Sequence, residues 1–174
     1  MTARQRSGGE GIKPIKVDAL SPESAIQLLN FHAGRDYTKD VDALELCNLL
    51  SFLAFAIRIA GINLQIFNNS TPKTLLNDIK ATPIDISDPK RRSEEYRENV
   101  ARLIQFSLES LDKGAEDVFI AMGAFFAPAA TPEILSIYLN EPIHKFLNEL
   151  HISGLIELIR ATDNAVASYR LHDL

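Results

Sequence analysis

The sequence predicts a mainly α protein, in which a helical bundle is followed by three further helices and one β-hairpin. Apolar residues recur at helical spacing along most of the chain before residue 153. Several of these segments open with Ser-Pro or Thr-Pro, a frequent pair at the first positions of helices. The last two apolar runs, LIELIR and ASYRLHD, are joined by ATDNAV, in which Asp-Asn favours a turn between two strands.

The first predicted helix is SPESAIQLLNFHAG. Ser21 is the expected N-cap, Pro22 suits the first helical position, and Gly34 is the expected end. The buried stripe is formed by one set of residues at helical spacing: Ala25, Ile26, Leu29 and either His32 or Ala33.

Residues 39–67 predict either one long helix or two helices separated by a break. Within them, LAFAIRIAG is apolar almost all round, which is typical of a buried helix. Gly61 is expected either to end this helix or to allow another helix to pack closely on it. A short helix follows at 71–79, with Thr71 as its cap.

Residues 80–92 carry two prolines and several charges without periodicity, so we expect a linker there. This linker divides the chain into a helical subdomain at 13–86 and a second subdomain at 87–174. Residues 1–12 are polar and glycine-rich, and we expect them to be loose.

The second subdomain begins with an amphipathic helix over 93–111. Three more helices are expected, and the last is closed by Gly154. These three helices cover 115–126, 131–139 and 141–153. Three helices followed by a β-hairpin is the order of a winged helix, so a winged-helix subdomain is predicted.

Composition narrows the function classes. The formal net charge is -5. The chain has one cysteine, and a single cysteine excludes an internal disulfide and any zinc site with several Cys ligands. The longest apolar stretches are far shorter than the roughly 20 residues of a membrane helix. We therefore expect a cytoplasmic protein without a membrane partner. The phosphate-loop, dinucleotide, HExxH and GxSxG motifs are missing, and the histidines have no metal-ligand spacing, so no autonomous active site is expected.

A winged helix often places its third helix in the major groove of DNA. Here that helix carries Glu141 and Glu149 against the single lysine Lys145. Phosphates repel such a face, so nucleic-acid binding is not expected. A DNA-binding transcription regulator, or a protein-interaction module, remains the alternative function.

The order of the segments resembles the C-terminal part of the NB-ARC module of STAND-class signalling NTPases. VDALSPESAIQLL resembles the entry to that family's helical subdomain, and LCNLLSFLAFAIRIAG stands where the family has its GLPLAL motif. NVARLIQFSLESLD and FIAMGAFFAPAATPEIL resemble the start of its winged-helix subdomain. SGLIELIRATDNAVASYRLHDL resembles its ending, the MHD-type motif.

The resemblance implies a nucleotide site with four candidate residues. His172 matches the motif histidine, which in the family contacts the β-phosphate of ADP and holds the module closed, and Asp173 matches the residue that orients its surroundings. Ala54 replaces the proline that packs on adenine, and is smaller. Arg4, within MTARQR, resembles the sensor arginine at the end of the nucleotide-binding domain, so 1–12 would be a remnant of that domain.

The resemblance also implies a cofactor and a partner. The cofactor is ADP or ATP, bound only when an upstream nucleotide-binding domain supplies the phosphate loop and the magnesium-binding acidic motif. That domain, or another protein domain, is the expected partner. Without those motifs the chain is expected to hydrolyse little or no ATP.

Overall fold

A computed structural model describes residues 19–67, 69–83, 95–124, 131–159 and 168–171. These residues form mainly α-helices with one two-stranded antiparallel sheet, as predicted. The elements in chain order are α1 Pro22–Ala33, α2 Val41–Leu49, α3 Ala54–Ile66, α4 Pro72–Ala81, α5 Glu95–Glu109, α6 Lys113–Ala124, α7 Pro132–Leu139, α8 His144–Ile152, β1 Ile156–Ile159 and β2 Ser168–Leu171. We call α1–α4 the bundle and α5–β2 the C-terminal lobe.

Helix α1 begins and ends where its sequence predicts. The Ser21 hydroxyl accepts the backbone N–H of Ser24 at 3.2 Å, and Pro22 takes the first position. Gly34 adopts the left-handed conformation (φ 64°) and its N–H donates to the Asn30 carbonyl at 2.9 Å. Ala33, not His32, completes the buried stripe.

The segment at 39–67 forms two helices, because the backbone turns sharply at Ser51 and Phe52. Both residues have positive φ (53° and 54°), which is uncommon away from glycine. Backbone hydrogen bonds offset this strain: Phe52 donates to Cys47 O at 3.0 Å, and its own carbonyl accepts from Leu20 N at 3.0 Å. One of the two bonds that hold the turn therefore comes from Leu20, the residue before the N-cap of α1.

Helices α1 and α3 pack closely at Gly61. A Cβ at Gly61 would lie 2.7 Å from the Cβ of His32 and 3.0 Å from the carbonyl oxygen of Leu29. Helix α3 continues beyond Gly61 to Ile66, so this glycine permits close packing and does not end the helix.

Helix α4 is capped as predicted, and it extends to Ala81. Thr71 and Thr74 form a reciprocal capping box. The predicted linker at 80–92 therefore starts inside a helix, and its positions 84–92 lie outside the described residues.

Helix α5 is joined to the bundle by polar contacts. Asn63 Nδ2 donates to the buried Ser107 Oγ at 3.0 Å, and Arg102 Nη1 donates to the Thr82 carbonyl at 2.7 Å. The same helix also contacts α6. The boundary placed between 86 and 87 stays a prediction.

The C-terminal lobe has the helix order expected of a winged helix. Helix α6 packs on α7 and α8, Gly114 lies against the Phe146 ring, and the hairpin pairs Ile156 with Leu171 and Ile159 with Ser168. The joining turn lies outside the described residues. Helix α8 begins at His144, later than the predicted 141, and Pro142 disfavours helical backbone at Glu141, the residue before it.

Candidate functional site

Of the four residues predicted to bind nucleotide, only Ala54 is among the described residues. It is the exposed first residue of α3. The N-cap of that helix, Leu53, makes no side-chain capping bond. His172, Asp173 and Arg4 lie outside the described residues, so their predicted contacts stay predictions.

The strand before His172 ends beside the start of β1. Leu171, the last described residue, pairs with Ile156, which is buried. Gly154 precedes Ile156 by two positions and contacts the bundle residues Ile62 and Arg58. The end of β2 is therefore close in the fold to the junction between the bundle and the C-terminal lobe.

A cleft of about 320 Å³ lies at this junction. Both lobes supply its walls. The lining residues are His32, Arg58 and Ile62 from the bundle, and His151, Gly154, Ile156, Glu157 and Leu158 from the C-terminal lobe.

Arg58 connects the two walls. Its Nη2 donates to the Gly154 carbonyl at 2.7 Å, and its Nη1 lies 3.8 Å from Glu157 Oε1. The guanidinium also lies over the Phe55 ring, 5.8 Å from its centroid. Among the described residues no group accepts a hydrogen bond from the buried Arg58 Nε. Arg58 is thus held between its own helix and the start of β1.

Glu157 lies between two guanidinium groups. Its Oε2 accepts from Arg170 Nε at 3.0 Å and from Arg170 Nη2 at 2.9 Å, a geometry that fixes both side chains. Its other oxygen faces Arg58. Two guanidinium groups and one carboxylate therefore meet at the cleft, where Arg58 and Glu157 line opposite walls.

Two histidines complete the polar lining. Burial, together with the charge of Arg58, lowers the pKa of His32 below its ordinary value of 6.5. The Phe31 ring contacts His32 edge to face, with centroids 5.0 Å apart. On the opposite wall, His151 Nδ1 lies 3.4 Å from the Ile156 carbonyl oxygen.

The arrangement can tie two lobes together, and it can present positive charge to an anion. No three His, Cys, Asp or Glu side chains in the described part of the chain group closely enough to hold a metal ion. None of the helices described is long and apolar enough to cross a membrane.

Sequence reasoning did not identify Arg58, Glu157 and Arg170 as site residues. One signal was available for Arg58, which is the only charge within the apolar run LAFAIRIAG. An arginine in a helix that is buried almost all round needs a partner, and here the partners are on the other lobe.

No protein-family model matches the chain, and no curated protein matches it either.

Proposed function

We propose that the chain is the regulatory part of a STAND-class nucleotide switch, which contributes to ADP binding and to the closed state. The observation that carries the proposal is the sequence RLHDL, whose first two residues end strand β2 at the junction of two helical lobes. Its support is the order of motifs along the whole chain and the position of the cleft.

In this proposal the imidazole of His172 contacts the β-phosphate of ADP. An imidazole N–H can donate to a phosphate oxygen, and such a charge-assisted bond is among the stronger hydrogen bonds in proteins. Asp173 orients the backbone beside it. Ala54, exposed at the start of α3, faces the adenine, and Arg4 is the sensor at the edge of the partner domain.

The partner in this proposal is a nucleotide-binding domain that supplies the phosphate loop. The 174 residues hold no GxxxxGK[ST] motif, so tight phosphate binding and hydrolysis belong to that domain. ADP contacts residues of both the nucleotide-binding domain and this chain. It therefore shifts the equilibrium towards the closed arrangement. Such a switch would act in the cytoplasm.

DNA binding is the competing function. The contacts of α8 weigh against it, since the ammonium group of Lys145 is paired with Asp112 and lies 3.6 Å from Glu149 Oε1. A phosphate backbone would have to displace both carboxylates before it could use this charge.

The test compares two ligands on the same protein. Chemical-shift titration of the chain alone with ADP is expected to give no dissociation constant below about a millimolar, because the upstream domain that supplies the phosphate cradle is missing. Duplex DNA at low salt is expected to cause no saturable shift. His144→Ala, on the exposed face of α8, is the matched control for His172→Ala and should leave ADP binding unchanged.

Two results would contradict the proposal. One is micromolar ADP binding by the chain alone, because affinity of that order requires a complete cradle. The other is strong, salt-sensitive DNA binding, which would favour the transcription regulator.

A further inference from the structure

We propose that Arg58, Gly154 and Glu157 form a clasp between the bundle and the C-terminal lobe, and that protonation of His32 opens it. This inference concerns the lobes themselves and does not depend on nucleotide binding.

The clasp is a polar contact between residues that line the cleft from both lobes. Arg58 and the Gly154 carbonyl are 96 residues apart in sequence, and the 2.7 Å bond between them joins α3 to the residues just before β1. The fit is tight, because a Cβ at Gly154 would lie 2.7 Å from Ile62 Cδ1 and 3.7 Å from Arg58 Nε. Gly154 also has φ +77°, a conformation that only glycine adopts freely.

Helix α5 has a different attachment. Asn99 Nδ2 donates to the Leu49 carbonyl at 3.1 Å, in addition to the bonds of Ser107 and Arg102 already described. These bonds hold α5 on the bundle. When the clasp breaks, the part that moves is therefore α6–β2, turning about the short connection between α5 and α6.

His32 is placed to control the clasp. It lines the same cleft as Arg58, and its partial burial and the Arg58 charge both disfavour the imidazolium form. A proton on His32 would put two positive charges on one wall of the cleft. Their repulsion weakens the arrangement in which Arg58 is fixed against Gly154.

The other charged groups around His32 do not cancel this effect. Across the cleft, β1 presents Glu157, whose carboxylate is shared between Arg170 and Arg58, and α8 presents His151. Helix α2 also packs on α1, but its Glu45 carboxylate is paired with Lys80 of α4 at 3.0 Å.

The sign of the pH dependence follows from these contacts. In the closed form the pKa of His32 lies below its ordinary value of 6.5 because of its burial and the charge of Arg58. In the proposal, opening exposes the ring and frees Arg58 to move away from it, which returns the pKa towards 6.5, so the open form binds more protons. Closure is fully favoured above the ordinary value of 6.5. Closure weakens as the pH falls below that value towards the lowered pKa. For one proton, the ratio of open to closed molecules rises by at most about tenfold per pH unit.

The experiment measures the distance between spin labels on the two lobes by pulsed electron resonance. Labels are attached to Lys73→Cys on α4 and Glu133→Cys on α7, both exposed, in a Cys47→Ala background. Between about pH 8 and about pH 5.5, a range above ordinary carboxyl pKa values, the distance is expected to lengthen and broaden. His32→Gln, which cannot gain the charge, is expected to keep the short distance throughout.

Two further variants sharpen the result. His144→Gln, exposed on α8, should open like the parent protein. Arg58→Gln should already be open at about pH 8, and in it the His32 ring protons should titrate at a higher pH than in the parent. If Arg58→Gln does not fold, as judged by circular dichroism, the comparison of His32→Gln with the parent still decides whether protonation of His32 opens the clasp.

Two outcomes would overturn the proposal. One is a parent distance that stays unchanged down to about pH 5.5. The other is opening that persists in His32→Gln, including the case in which only His151→Gln abolishes it.

Discussion

Gly61→Ala is the substitution whose effect the structure fixes most sharply. The added Cβ would meet the Cβ of His32 at 2.7 Å and the Leu29 carbonyl oxygen at 3.0 Å. Carbon atoms in contact prefer about 3.5–4.0 Å, so α1 and α3 must separate by roughly 1 Å. Neither atom belongs to the flexible end of a side chain, so a rotamer change cannot relieve the contact.

The change in the free energy of unfolding is the difference between a packing cost and a gain in helix propensity. Overpacking of this kind costs about 1–3 kcal/mol, and alanine gains up to about 1 kcal/mol over glycine inside a helix. With the full helix gain subtracted, we therefore expect Gly61→Ala to lower the free energy of unfolding by up to about 2 kcal/mol. Gly123→Ala is the matched control, because its Cβ would find nothing nearer than Leu171 Cδ1 at 3.8 Å.

The assay is urea and thermal unfolding followed by far-UV circular dichroism on the parent protein and both variants. Gly123→Ala should be as stable as the parent or slightly more stable, whereas Gly61→Ala should unfold at a lower urea concentration and melt up to about 8 °C lower, since 1 kcal/mol corresponds to about 2–4 °C at this chain length. If Gly61→Ala gained as much stability as Gly123→Ala, the reasoning about close helix packing would be refuted.

Three further predictions concern stability and reactivity. Thr71→Ala removes the capping box of α4 and should cost about 1 kcal/mol in urea unfolding; an unchanged midpoint would contradict the role of the cap. Ser107→Ala deprives the buried Asn63 amide of one acceptor and should cost about 1–2 kcal/mol, with the exposed Thr38→Ala as comparison. Burial raises the pKa of the Cys47 thiol to about 11, so only about a thousandth is thiolate at pH 8 and iodoacetamide should label it only after urea is added. Rapid labelling of the folded chain would disprove that burial.

Local signals predicted most of the helices correctly. The N-caps Ser21, Thr71 and Thr131 and the prolines that follow them are all where the sequence predicts, because capping involves residues within one turn of each other. The hairpin strands were predicted for the same reason, since the two apolar runs and the turn residues between them are neighbours in sequence.

The break between α2 and α3 could not be decided locally. Ser51 and Phe52 take positive φ although neither is glycine, and a bond from Leu20 holds them there. Tertiary contacts overrode the ordinary preference of these residues. The role of Gly61 was left open for the same reason, because it depends on which helix lies across it.

The clasp was beyond local reasoning, since Arg58 and Gly154 are 96 residues apart in the sequence. The nucleotide residues were inferred in another way, from motif order. Of these, Ala54 is seen at an exposed helix start, while His172, Asp173 and Arg4 lie outside the described residues and stay predictions.

The central claim is that His172 contacts the β-phosphate, and a double-mutant cycle with two ligands tests it most directly. ADP and AMP are titrated against the parent chain and against His172→Ala, with chemical shifts as the readout. A hydrogen bond to a charged group is worth about 1.5–3 kcal/mol, so the parent should bind ADP at least about tenfold more tightly than AMP. In His172→Ala that preference should disappear. An ADP preference of the same size in both proteins would show that the imidazole does not contact the β-phosphate.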